Sequence, residues 1–142
     1  MRLSTVEFQA MNHSLRRFVQ KHVEFRNFGM LGLRGRNRDI LEIGCGSGYG
    51  AVLLSTLEPR SYMGIDLMPE QIALTGQWQL SGCTFRVMDA ADMKGIPADS
   101  KDVIVIFGIL HHIPKWRAVV KECRRTLRAG GRLFVEEPKR SI

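Results

Sequence analysis

The chain has 142 residues, 44% of them hydrophobic and 25% charged, with a net charge of +7, which is enough for one domain with a sizeable core. No run approaches the ~18 consecutive apolar residues of a membrane span, and the opening MRLSTVEFQAMNHSLRRF lacks the apolar centre of a secretory signal. Cys45, Cys83 and Cys123 have neither metal nor redox spacing and are odd in number, which argues against a disulfide framework and predicts a reducing, cytoplasmic setting.

Residues 5–26 read as an amphipathic helix, with Leu15, Phe18, Val19, Val23 and Phe25 recurring near a 3.6-residue period. A Gly- and Arg-rich connector, GMLGLRGRNRD (29–39), follows, dividing an N-terminal segment (1–38) from an α/β segment (39–142). The first strand then breaks into glycines in Ile40-Leu41-Glu42-Ile43-Gly44-Cys45-Gly46-Ser47-Gly48-Tyr49-Gly50. Glycines placed there let backbone approach a ligand, because no Cβ intervenes. The helix expected from about Gly48 through AVLLSTL offers unpaired N–H groups at its start.

A second strand ends at Asp66, and Pro69 opens a second helix that is expected to end at Ser81-Gly82. FRVMDAADM (85–93) holds a third strand and the pair Asp89-Ala90. The unbroken run VIVIF within 102–107 fits a parallel strand covered on both faces. GILHHIP then brings His111 and His112 to the carboxyl edge of the sheet, where ligands sit in open α/β folds. The last helix is expected to start at Pro114, to bury Trp116, Val119, Val120, Cys123 and Leu127, and to stop at Gly130-Gly131, before a fifth strand in RLFVEEP. Strands alternating with helices predict a doubly wound, mostly parallel α/β sheet of five strands.

Gly46-x-Gly48-x-x-Ala51, with an acid 18 residues past Gly48, also fits a dinucleotide fingerprint, so a nicotinamide cofactor is the alternative. That version has no need of Glu42 and does not predict Asp89-Ala90 or the His pair. In order and spacing, ILEIGCGSG, YMGIDLMPEQI (62–72), FRVMDAADM, DVIVIFGILHHIP (102–114) and RRTLRAGGRLFVEEP (124–138) resemble the five strand motifs of the class I S-adenosylmethionine (SAM) dependent methyltransferases, which have a Rossmann-like sheet. The resemblance implies SAM as cofactor. Glu42, Gly44, Cys45, Gly46 and Gly48 would then form the loop around its methionine part, and Asp66 would accept both ribose hydroxyls, one per carboxylate oxygen. Leu67 and Met68 would pack on the adenine, Asp89 would take its amino group beside the Ala90 backbone, and Phe107 in strand 4 is a further cofactor-binding candidate. His111 or His112 is the candidate general base, with His111 favoured for the cofactor side. The pair lacks a third ligand, so no metal is expected. Cys45 reads more simply as a small residue in a tight loop than as a reactive thiol. Tyr49, Trp78 and Trp116 read as packing.

The acceptor is less legible. An Asn/Asp-Pro-Pro-aromatic segment after strand 4, which would cradle an extruded base, is replaced here by GILHHIP, which resembles the small-molecule, quinone-biosynthesis branch. Residues 1–38 carry eight Lys/Arg against two acids, 39–110 four against nine, and 111–142 nine against three. The basic flanks keep RNA methylation open as an alternative, and a non-catalytic SAM-binding module is another. The resemblance further implies C-terminal strands that are not readable after strand 5. The expectation is that strand 5, an apolar edge, pairs with a second copy, or that the chain is a fragment of a longer enzyme.

Overall fold

The computed structural model describes residues 4–11 and 13–138, so positions 139–142, where the sequence reading runs out, lie outside the described residues. Five parallel strands form one sheet: β1 (Asp39–Ile43), β2 (Ser61–Asp66), β3 (Cys83–Val87), β4 (Lys101–Phe107) and β5 (Leu127–Glu136). Their order is β3-β2-β1-β4-β5. The chain winds outward from β1 to β3, then returns to lay β4 on the other side of β1. Loops leaving β1 and β4 diverge at that reversal, which opens a crevice at the carboxyl edge of the sheet. Ile43 pairs with both Ile65 and Ile106, so the three strands bounding the crevice run in register to their ends.

Alternation along the strands feeds two apolar layers. Ile40, Tyr62, Val103 and Val105 face Ala51 and Leu54 of α4 (Tyr49–Ser55) and Phe28. Leu41, Ile43, Ile104 and Ile106 face Val119 and Cys123 of α6 (Trp116–Thr126), with Met93 and Ile96. At the opposite edge from the crevice, Asp39 and Asp102 are clamped by Arg60 and Arg128 at 2.6–3.3 Å, tying the bases of β1, β2, β4 and β5 together.

The N-terminal segment departs from the expected single helix. It is divided into α1 (Thr5–Met11), α2 (Ser14–Val19), a π-helical stretch (Gln20–Phe25) and α3 (Arg26–Met30). His13 interrupts it, its Nδ1 accepting the Leu15 N–H at 3.1 Å as the cap of α2. The wider π turn then rotates the following residues off the 3.6-residue register. Leu15 (65% exposed), Phe18 (59%) and Val23 point outward, while Gln20, Glu24 and Phe28 are buried. The expected apolar stripe is therefore not the packing face.

Three further boundaries move. The second helix, α5 (Pro69–Leu74), gives way to a 3₁₀ turn (Thr75–Trp78) and ends at left-handed Gln79, not at Ser81-Gly82. Helix α6 ends at Thr126 instead of Gly130, because Thr126 Oγ1 turns back onto the Glu122 carbonyl and Leu127 already pairs with Lys101. Gly130-Gly131 falls in the register shift of β5 between the Leu127 and Arg132 pairings. Trp116 and Val120 are exposed where burial was expected, Trp116 lying against the Arg117 guanidinium at 4.3 Å. Among the described residues no helix is long and apolar enough to cross a membrane.

Candidate cofactor and acceptor site

Two small cavities meet at the glycine loop after β1, sharing Gly44 and Gln71 as walls. The larger, about 70 Å³, lies over the ends of β1 and β2 and is bordered by Asp66, Leu67, Met68, Asp89, Ala90 and His112. The smaller, about 30 Å³, is bordered by Glu42, Cys45, Gly46, Ser47, Tyr49 and Phe107, with Arg16 and Gln20 closing it from the N-terminal helices. Ile109 stands between them: a Cβ on Gly44, whose φ is +72°, would collide with its Cδ1. Gly46 and Gly48 also take positive φ, so the loop has a shape that L side chains resist.

Asp66 is the hinge of this arrangement. Its Oδ2 accepts the Gly46 N–H at 3.0 Å and its Oδ1 accepts the Met68 N–H at 2.9 Å, which fixes the carboxylate plane between the two cavities. Each oxygen keeps a lone pair for a further donor. Burial raises its pKa, against the pull of those two N–H groups.

Glu42 is buried at 1% exposure, one strand position from the loop. Burial pushes its pKa up to about 8, with the Asp66 charge adding to the effect and the Tyr62 hydroxyl, which donates at 2.7 Å, opposing it. The carboxyl therefore sits largely neutral at pH 7. A Cβ on Gly50 would collide with that carboxyl group. Gly50→Ala is expected to cost about 1–3 kcal/mol, as overpacking does, read as a fall in the urea midpoint at unchanged slope.

Cys45 is buried against Gly64, and burial, with the Glu42 and Asp66 charges, drives its thiol pKa far up. It is not a reactive thiol. Gly48 borders neither cavity; it serves as the left-handed N-cap of α4. Trp78 donates to the Ser47 carbonyl at 2.9 Å and takes the Arg17 guanidinium on its ring face at 4.9 Å, while Tyr49 lies beside it. Asp89 is exposed and caps its own turn through the Ala91 N–H.

The two histidines divide in a way adjacent residues cannot announce. Glu137, just past β5, accepts the Leu110 N–H at 2.7 Å and faces His111 Nδ1 at 2.6 Å. That contact draws His111 away from the cavity, and His112 is the one that borders it. Of the two, His112 lines the larger cavity and His111 does not. Arg16, Gln20, Gln71, Ile109 and Glu137 also shape the site and were not singled out from the sequence. Nothing in their spacing could have marked them, since the topology alone brings them to the crevice.

A family model described as a methyltransferase domain matches residues 41–135. The chain belongs to that family, the class I SAM-dependent methyltransferases. A probable SAM-dependent methyltransferase from Mycolicibacterium smegmatis is 35% identical over 107 residues, covering 75% of this chain and 40% of that protein. A ubiquinone biosynthesis O-methyltransferase from Xanthomonas oryzae is 28% identical over 105 residues, covering 72% of this chain and 44% of that protein. The crystal structure of a SAM-dependent methyltransferase from Aquifex aeolicus superposes with a TM-score of 0.80 at 14% identity, covering 99% of this chain and 79% of that one, which bears on the fold. The chain thus spans about two fifths of the length of the curated relatives it matches.

The residues at the crevice fit SAM on their own chemistry. Gly44 and Gly46 bring bare backbone to the cavity walls, a carboxylate with spare lone pairs stands where two hydroxyls could reach it, and a buried acid lies by the smaller cavity.

Proposed function

We propose that this protein is a methyltransferase acting on a small-molecule acceptor, with SAM lying across both cavities. The observation that carries this reading is the Asp66 carboxylate at the end of β2, held in place by the Gly46 and Met68 N–H groups beside the glycine loop. Asp66 takes the ribose hydroxyls. Leu67 and Met68 flank the adenine, with Asp89 and Ala90 at its edge. Glu42 and the backbone of Gly44, Cys45 and Gly46 surround the methionine part, with Gly48 shaping the loop behind them, and Phe107 closes the end where the methyl group would emerge. Bound there, SAM supplies a methyl group already activated by its sulfonium.

The protein's task is then to hold the acceptor atom in line with that methyl group, which is worth a large effective molarity. Where the acceptor arrives as a hydroxyl, His112 accepts the proton it loses, with His111 beside it at a ring separation of 3.9 Å. The similarity to a ubiquinone biosynthesis O-methyltransferase supports a small-molecule acceptor. All three cysteines are unpaired, which supports the reducing, cytoplasmic setting.

Incubation with methyl-labelled SAM and a panel of phenols, amines and carbon acids tests this. Transfer to at least one phenol is expected, and His112→Ala should lower kcat for that phenol by about 100-fold, the usual worth of a general base. SAH binding without transfer to any acceptor would instead mark a non-catalytic binding module. The outer strand β5 has neighbours on one side only, and the reading that a second copy pairs there predicts a dimer in light scattering. A monomer at high concentration would dispose of it.

A further inference from the structure

A groove of about 710 Å³ opens beside the smaller cavity, and Arg16 borders both. Its walls are apolar, with Val6, Leu15 and Val19 exposed along them. Its floor is not. Arg16 from α2, Glu24 from the π segment and Glu136 from β5 converge over Gly108, the residue after Phe107. A Cβ built on Gly108 would lie 3.0 Å from Glu136 Oε2, 3.5 Å from Arg16 Nη2 and 3.8 Å from Glu24 Oε1. Three charged groups from three elements therefore ring one point, kept open by a glycine at the end where the methyl group would emerge.

The charges on that floor do not balance. Arg16 is committed to Glu24 at 2.9 Å, in a pair whose Glu24 side chain is only 8% exposed. Among the described residues at the groove, Glu136 is a second acid beside Arg16, the cation that Glu24 already engages. Burial, the neighbouring Glu24 charge and a hydrogen bond shared with the Glu24 carboxyl raise its pKa, with Arg16 opposing, so the two acids hold a proton between them. His13, also on the groove, uses Nδ1 to accept the Leu15 N–H. Such a floor repels an anionic head and welcomes a donor.

We propose that Glu136, set by Glu24 and Arg16, selects the acceptor: an apolar body whose head is an amine or hydroxyl, and not a carboxylate or phosphate. An ammonium takes the place of the proton that Glu136 and Glu24 share, a hydroxyl donates to Glu136, and a carboxylate adds a third acid to that pair. This inference rests on the groove being the acceptor side of the methyltransferase reading above.

Three probes of equal length test it: octylamine, octanol and octanoate, each titrated below its micelle concentration into the full chain and followed by NMR. Octylamine is expected to bind at least about ten-fold more tightly than octanoate, with octanol between, as like-charge rejection dictates. Glu136→Gln should bring the amine and the acid within about three-fold of each other while leaving SAH affinity unchanged. If that variant does not fold, shift mapping on the wild type decides, with the Gly108 and Glu136 amides expected to move first on adding octylamine. Octanoate binding as tightly as octylamine, an unchanged ratio in Glu136→Gln, shifts confined to other amides, or no probe binding at all would each overturn the proposal. Because the probes are titrated with and without SAH, a failure of SAH to bind marks a failure of the cofactor reading and is seen separately.

Discussion

Replacing Asp66 with Ala is expected to weaken SAH binding by about 100-fold or more with the far-ultraviolet circular dichroism unchanged. Two hydrogen bonds from ribose hydroxyls to a carboxylate are worth about 1.5–3 kcal/mol each, so losing both removes two to four decades of affinity. The same side chain also orders the loop, because its oxygens hold the Gly46 and Met68 N–H groups. Asp66→Asn separates these roles. It keeps one acceptor oxygen and turns an amide donor toward a backbone N–H, so an intermediate loss of roughly ten-fold is expected. Titration calorimetry reads both, and an Ala variant that bound SAH within three-fold of the wild type would remove Asp66 from the ribose site.

The second large effect is on stability, through Glu42. Its folded-state pKa of about 8 lies above the ordinary 4.5, so the folded protein holds that proton more tightly than the unfolded chain does. The resulting stabilisation is fully present below pH 4.5 and is lost as pH rises through 8. At about 1.4 kcal/mol per unit, the unfolding free energy attributable to this residue falls by roughly 3–5 kcal/mol across that window. Glu42→Gln, neutral at every pH and similar in shape, should flatten the slope between pH 5 and 8. Asp39 and Asp102 act in the opposite sense and outside that window. The Arg60 hydrogen bond holds the Asp39 carboxyl low, and Asp102, which burial alone would raise, is held low by the Asp39 amide and Arg128. Their contribution is present above pH 4 and lost on acidification. Urea unfolding at unit pH steps separates the two, and an equal slope in wild type and Glu42→Gln would show that Glu42 is not the buried proton holder.

Much of the sheet is legible because its signals are local. Strand β4 announces itself as VIVIF, the loop after β1 as glycines behind an apolar run, and Asp66 as the acid that closes the next strand. Elements whose identity depends on partners are not legible in this way. Leu15, Phe18 and Val23 keep a helical period, yet they point outward, and buried Gln20 and Glu24 carry no apolar signal. Gly130-Gly131 looks like a helix stop, but Thr126 ends α6 by folding its own hydroxyl back. The choice between His111 and His112 is made by Glu137, 26 residues away in sequence from His111. Arg16 and Glu136 lie at opposite ends of the chain and meet only because β5 is laid beside β4.

The most direct test is a crystal structure of the protein with SAH. The expected result places the ribose diol on Asp66, the adenine between Leu67, Met68 and Ala90, and the amino-acid end beside Glu42, with Ile109 turned off Gly44 so that the two cavities become one. SAH bound elsewhere, or a folded protein that takes up none at millimolar concentration, would contradict the assignment of this crevice as a SAM site.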